Sequence, residues 1–162
     1  MPPKSTPDKT LIRTFRRRLL AWFRASGRSL PWRETRDPYR IVVSEFMLQQ
    51  TQVSRVIDFY GRFLERYPTV TDLAKAHPSA VRESWDGLGY YRRAAHLHRL
   101  AQAVVKEHDG ILPADVDLLR TLPGVGRYTA GAVASFAYQL AEPAVDTNVA
   151  RVLTRAFHPR AG

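Results

Sequence analysis

Glu45 stands where a carboxylate is costly. It lies in the run Ile41-Val42-Val43-Ser44-Glu45-Phe46-Met47-Leu48. At about 3.6 residues per turn it falls between the columns of Ile41 and Val42, while Val43, Phe46 and Met47 occupy the rest of the helix surface. A helix apolar nearly all round is buried. An isolated carboxyl there loses its water, so its pKa rises and a protonated acid becomes available near neutral pH. The alternative is that Glu45 caps its helix or pairs with an arginine such as Arg33 or Arg40. Asp146 is the second acid of interest. It follows the breaker Pro143 and precedes a helix containing Asn148, Val149 and Val152. Asp commonly fills such an N-cap position, and a helix N-terminus facing a cavity also keeps a carboxylate ionised while it points at a substrate. One acid that gives a proton and another that stays charged make the division of labour that cleaves a glycosidic bond through an oxocarbenium-like state.

A third feature grips charge without spending a side chain. Leu122-Pro123-Gly124-Val125-Gly126 is followed by the small-residue stretch Thr129-Ala130-Gly131-Ala132-Val133-Ala134. Gly124 and Gly126 can take positive φ, so the chain turns sharply with Val125 between them and points successive amide N–H groups outward. The helix beginning near Arg127 then offers its positive N-terminal end to a phosphate. The alternative is a plain helix-to-helix turn with structural glycines.

The elements that must position these groups are all helical. Leu11, Phe15, Leu19 and Phe23 recur every four residues among Arg13 and Arg16 to Arg18, which predicts a basic amphipathic helix ending at Ser26-Gly27. A loop bracketed by Pro31 and Pro38 carries Trp32-Arg33. Further helices are predicted over 39–50, 52–66 with Val53, Ile57, Tyr60 and Leu64 as the inner stripe, 70–75, 78–85, 91–108, 115–122, 127–139 and 149–157. The 91–108 helix turns Ala94, Leu97, Ala101, Val104 and Val105 inward. No alternating strand pattern, internal repeat or low-complexity tract occurs, so the predicted class is all-α. The domain reading is a Pro-rich disordered tail over 1–9, the basic helix over 10–28, a main helical body over 29–145 with the hairpin at 115–139, and a segment over 146–162 that carries Asp146.

Composition narrows the partners. The chain has 162 residues, 44% hydrophobic and 25% charged, enough for one domain with a real core. Its formal charge is +10, concentrated at the start: residues 1–40 carry eleven Lys or Arg against three Asp or Glu. Arg makes up 21 of the 25 basic residues, and its planar fork suits bidentate phosphate contacts. Nucleic acid is the partner this charge favours, the alternative being a solvated basic face. There is no cysteine, which excludes disulfides, thiolate metal sites and iron–sulfur ligation by this chain. No apolar run reaches the roughly 18–20 residues of a membrane span, and the start lacks a secretory apolar stretch. The expected setting is the cytoplasm or nucleoid, with no membrane association.

Taken together, Trp32-Arg33, Asp37-Pro38-Tyr39, the run from Ser44 through Glu45, Gln49, Gln50 and Thr51 to Val53, Gly87-Leu88-Gly89-Tyr90-Tyr91, the hairpin from Leu122 to Gly131, and Val145-Asp146-Thr147-Asn148-Val149 resemble the MutY-like adenine DNA glycosylase family of the helix-hairpin-helix (HhH-GPD) superfamily. The resemblance runs from about residue 15 to 157. Each motif alone is weak, whereas their order and spacing together are specific. It implies a six-helix barrel module with flanking N- and C-terminal helices, and double-stranded DNA with a mismatched or oxidised base pair as partner, bound by a monomer. An adenine opposite 8-oxoguanine or guanine would be rotated out of the duplex, because its sugar bond is unreachable while stacked.

By the same resemblance Glu45 protonates the departing adenine and helps activate water, and Asp146 stabilises or traps the sugar cation, with Asn148 and Tyr128 in support. Gln50 and Tyr90 match residues that wedge into the base stack. Tyr90 could equally be a core anchor. Arg33 and Thr51 complete the expected DNA-contacting set. Gly124, Val125 and Gly126 would hold phosphate through backbone amides, with a monovalent cation on the facing carbonyls. Relatives with lyase activity carry a nucleophilic lysine where this chain has Tyr128, so base excision without efficient strand cleavage is expected. Family members continue into a four-cysteine segment holding a 4Fe-4S cluster and then into a domain that reads 8-oxoguanine. This chain has neither, which leaves three readings: a natural short form, a gene fragment lacking its second domain, and a product that needs a second polypeptide. A thymine or uracil mismatch glycosylase and a catalytically silent DNA-binding module are the other readings; Gln49-Gln50-Thr51 favours the adenine branch.

Overall fold

The computed structural model describes residues 8–157. Among them every regular element is helical: α1 (Lys9–Ser26), a 3-10 turn (Pro31–Arg33), α2 (Pro38–Leu48), α3 (Val53–Arg66), α4 (Val70–Lys75), α5 (Pro78–Glu83), α6 (Arg92–Glu107), α7 (Val116–Thr121), α8 (Arg127–Phe136) and α9 (Thr147–Phe157). The expected all-α class holds. Most of the tail expected over 1–9, and the last five residues, lie outside the described residues. Lys9 is already helical, because the Asp8 side chain accepts from the Thr10 N–H at 3.0 Å and caps α1.

The chain divides into two compact units, Leu30–Asp146, which contains α2 to α8, and a terminal unit that pairs α1 with α9. The larger unit is organised around α2. Asp37 starts this helix by accepting from the Tyr39 and Arg40 N–H groups at 2.8 and 3.3 Å, with Pro38 in the first turn. Of the residues from Tyr39 to Met47 only Arg40 is exposed, and α2 packs against the 3-10 turn, α3, α6 and α8. The Tyr39 hydroxyl donates to the Tyr67 carbonyl at 2.8 Å and ties the start of α2 to the end of α3. Local signals place the remaining helices in the same way. Thr69 and Asp72 form a capping box on α4, and Asp115 accepts from the Asp117 and Leu118 N–H groups, both at 2.9 Å, to begin α7.

Several expectations are corrected. The inner stripe of α3 is Val56, Tyr60 and Phe63, with Ile57 38% exposed and Val53 and Leu64 only half-buried. The helix is turned so that its largest rings face inward. Tyr60 meets Trp32 edge-on at 5.3 Å and Phe63 meets Trp85 at 5.7 Å, burying more apolar area than Ile57 would. The proline-bracketed loop contains a 3-10 turn that buries Trp32. In α6, Ala94, Leu97, Ala101 and Val104 are buried as expected, Val105 is half-buried, and Arg93 joins the buried set. Helix α8 ends at Phe136, not Gln139. Gln139 adopts φ +57° and the Leu140 N–H returns to the Ala134 carbonyl at 3.1 Å, a left-handed helix ending.

In the terminal unit neither α1 nor α9 buries a residue, and Leu11, Ile12, Leu19, Leu20, Trp22 and Phe23 are 43–59% exposed. Phe15 and Phe157 meet edge-on at 5.1 Å. No helix among the described residues is long and apolar enough to cross a membrane.

Candidate active site

The two acids share one electrostatic environment with a tyrosine. Glu45, on the last full turn of α2, is 7% exposed, and Tyr128, on the first turn of α8, donates its hydroxyl to the Glu45 carboxyl. Burial pushes the Glu45 pKa up from 4.5 to about 7. The Tyr128 hydrogen bond opposes this rise and the nearby Asp146 charge adds to it. Tyr128 is itself driven above the ordinary phenol value, by burial first and then by Glu45 and Asp146. Both sets of shifts place Asp146 within electrostatic reach of the other two. No arginine is among the groups acting on Glu45, and Arg40 instead faces Asp37 at 3.7 Å. The arginine-paired alternative therefore does not describe this carboxyl.

Backbone packing brings Asp146 to this position. It is half-buried and is the last residue of the larger unit, directly before α9. The segment leading to it crosses α8 at Gly131, one turn beyond Tyr128. A Cβ on Gly131 would stand 2.3 Å from the Pro143 carbonyl oxygen and 3.0 Å from its carbon. Only a glycine admits that crossing. The small-residue stretch was the visible signal, although which of its members receives the crossing chain was not.

The hairpin between α7 and α8 uses one left-handed glycine, not two. Gly124 has φ +78°, and a Cβ there would overlap His96 Cβ at 2.8 Å and Phe46 Cε1 at 3.0 Å. Gly126 is extended (φ −90°, ψ 177°), with open space on its Cβ side. The Val125 N–H turns inward to the Leu122 carbonyl at 3.1 Å and its side chain is buried, so the expected row of three outward amides is not formed. The Gly124 and Gly126 amides stay clear of internal bonds, and α8 has no side-chain cap on its first turn.

The other expected site residues fall in two places. Gln50 and Tyr90 are exposed tips of separate loops, Tyr90 61% so, and both hold left-handed backbone conformations, φ +55° and +49°. Thr51 is half-buried beside Gln50. Arg33 is exposed at the end of the 3-10 turn. Asn148 belongs to the terminal unit, where its Oδ1 accepts from Arg151 at 3.4 Å.

Sequence reasoning missed Arg93. This arginine is 7% exposed, yet it faces no carboxylate. Its Nη1 donates to the carbonyls of Phe46 (2.9 Å), Met47 (2.8 Å) and Gln49, and its Nη2 to Thr51 Oγ1 (3.0 Å), the Leu88 carbonyl (3.2 Å) and the Gly89 carbonyl (3.0 Å). Its signal was positional, since Arg93 stands four residues before Leu97 on the buried face of α6.

No group of three or more His, Asp or Glu that could hold a metal lies among the described residues, and the chain has no cysteine. These 162 residues therefore do not supply a four-thiolate cluster site.

Residues 43–161 match the family described as HhH-GPD superfamily base excision DNA repair protein. Over 141 residues, 86% of this chain and 48% of the relative, the sequence is 52% identical to the adenine DNA glycosylase of Mycolicibacterium smegmatis, so the chain spans about half the length of that curated relative. Among solved structures it resembles a thermostable thymine-DNA glycosylase, with TM-score 0.85 and 32% identity over 90% of this chain and 67% of that one. It also resembles endonuclease III in a non-covalent complex with DNA, with TM-score 0.80 and 28% identity over 93% of this chain and 69% of that one. The helical unit built around α2, the glycine hairpin and a match over most of the sequence agree, and the chain belongs to the HhH-GPD superfamily of base excision DNA repair proteins.

Proposed function

We propose that this chain carries the excision chemistry of an adenine DNA glycosylase, hydrolysing the N-glycosidic bond of adenine mispaired with 8-oxoguanine or guanine. The observation that carries the proposal is the arrangement of Glu45, Tyr128 and Asp146, in which burial keeps one carboxyl protonated up to about pH 7 beside a second acid. With adenine extruded, Glu45 gives its proton to a ring nitrogen of the base and the bond to the sugar breaks, its electron pair leaving with adenine. The Asp146 carboxylate faces the oxocarbenium ion that remains. Glu45, now ionised, takes a proton from the water that adds to the sugar. Tyr128 holds the Glu45 carboxyl in place, and Asn148 supports the sugar cation.

Double-stranded DNA is the partner, in the cytoplasm or nucleoid, and the chain acts as a monomer. Phosphate sits on the Gly124 and Gly126 amides and the open first turn of α8. The Leu119 and Leu122 carbonyls each accept one backbone N–H, leaving a lone pair for a monovalent cation. Gln50 and Tyr90 enter the base stack, while Arg33 and Thr51 contact the strands beside them. Tyr128 has no amine to attack the sugar, so efficient AP lyase activity is not part of the proposal.

A thymine or uracil mismatch glycosylase is the second reading, favoured by the likeness to the thymine-DNA glycosylase structure. Single-turnover assays separate the two, with adenine opposite 8-oxoguanine or guanine and thymine or uracil opposite guanine as substrates. The proposal expects adenine release by the unaltered chain and loss of about 100-fold or more in Glu45→Gln and Asp146→Asn. Release of pyrimidines alone selects the second reading. Binding without any product marks a silent DNA-binding module, and undiminished cleavage in either variant removes the mechanism. A strong covalent adduct after borohydride treatment would overturn the assignment of Tyr128.

A further inference from the structure

One guanidinium ties together the two loops whose tips are proposed to enter DNA. Helix α2 ends with carbonyls that have no partner in their own helix. Arg93, from α6, supplies N–H groups to those of Phe46 and Met47, where a cation is also favoured by the helix dipole. The same guanidinium then reaches both neighbours of Gln50, through the Gln49 carbonyl and Thr51 Oγ1, and the two residues before Tyr90, through the Leu88 and Gly89 carbonyls. The Arg93 backbone N–H closes the second loop onto the Tyr90 carbonyl at 2.9 Å, and its Cζ lies 5.4 Å from the centre of the Tyr90 ring. Both tips are non-glycine residues in the left-handed region, a conformation that persists only where the surroundings impose it. A carboxylate partner would anchor a charge to one point. Six neutral acceptors, four from the two loops and two from the end of α2, instead make the charge a rivet between them.

We propose that Arg93 is a positioning residue for base extrusion: by bonding both loops with one rigid fork it presents Gln50 and Tyr90 to the duplex as a single preformed wedge. This inference rests on the proposed placement of Gln50 and Tyr90 in the base stack. A lysine ammonium is a point charge with three donors and cannot span the two loops. Arg93→Lys therefore leaves a cation in the core and removes the coupling.

The test reads extrusion apart from excision. In the full chain, in a Glu45→Gln background that holds adenine uncleaved, 2-aminopurine beside an adenine opposite 8-oxoguanine brightens as the stack opens. Arg93→Lys in that background is expected to lose most of the brightening at saturating protein. With Glu45 restored, Arg93→Lys is expected to slow excision from that duplex at least ~10-fold, but from adenine opposite an abasic site, where little stacking must be broken, by no more than about threefold. Equal slowing on both substrates would mean a merely structural role and overturns the proposal, as does full brightening in Arg93→Lys. If Arg93→Lys does not unfold cooperatively, Thr51→Val, which removes one of the six contacts, carries the test: reduced brightening at unchanged thermal stability and unchanged affinity for undamaged duplex supports the rivet, whereas undiminished brightening, or a loss that tracks weakened affinity for undamaged duplex, overturns it. Brightening that depends on Arg93 in a chain whose Glu45-containing form releases no base would leave the rivet standing and remove the excision chemistry instead.

Discussion

Glu45 should make the folded chain less stable as pH rises, and removing its ionisation should abolish that loss. The carboxyl holds its proton to about pH 7 in the folded state but only to its ordinary 4.5 when unfolded. Between those values folding takes up a proton, so stability is greatest below the unfolded pKa and declines as pH climbs through the folded one. The shift amounts to about 3 kcal/mol, most of it between about pH 5 and about pH 8.5. At 7% exposure the carboxyl has little solvent to screen it. Glu45→Gln has no proton to exchange in this range. Urea unfolding followed by circular dichroism at several pH values should give wild-type and Glu45→Gln stabilities that diverge by that amount, with the variant gaining toward alkaline pH. Any fixed penalty for burying the amide displaces the Gln curve equally at every pH and drops out of the difference. Two curves that stay parallel within about 0.5 kcal/mol would show that Glu45 ionises as freely in the folded chain as in the unfolded one. The acid proposed to protonate adenine would then not exist.

The excision rate should be full below about pH 7 and fall above it as Glu45 loses its proton; because the Tyr128 hydrogen bond lowers that pKa, Tyr128→Phe should move the alkaline limb upward, and a downward move would contradict the arrangement. Gly131→Ala drives a Cβ into the Pro143 carbonyl, so it should lose about 3 kcal/mol in urea unfolding. It should also slow single-turnover excision about 100-fold by displacing Asp146, and an unchanged rate in the folded variant would break that link. Gly124→Ala should cost at least about 1–2 kcal/mol for the left-handed backbone alone, whereas Gly126→Ala, in extended backbone with open space, should stay within about 0.5 kcal/mol. Weaker duplex binding by Gly126→Ala, read by fluorescence anisotropy, would then report phosphate access to the amides, and undiminished binding would move the phosphate elsewhere.

How legible each feature was depended on how far its cause reached along the chain. Asp37-Pro38, Thr69 with Asp72, and Asp115 act on the next few amides, so helix starts could be read directly from neighbouring residue types. The burial of Glu45 was legible for the same kind of reason. Its helix is apolar on all sides, so whatever packs there, water is removed. The face of α3 was not legible, since Val53, Ile57 and Leu64 offer as regular a stripe as Val56, Tyr60 and Phe63, and the choice was made by Trp32 and Trp85 from elsewhere. The end of α8 escaped because a glutamine, not a glycine, takes the left-handed position.

The helices, the glycine turn and the presence of two unusual acids follow from residue types acting over one or two turns. That Glu45, Tyr128 and Asp146 share one electrostatic environment, that Gly131 and not its neighbours receives the crossing backbone, that the Val125 amide points inward, and that Arg93 joins two loops all depend on contacts between segments far apart in the chain. A helix propensity or cap is an energy of a few neighbouring atoms and is written locally. A buried charge or a close crossing takes its energy from whichever surface arrives opposite, and that surface exists only once the chain has packed.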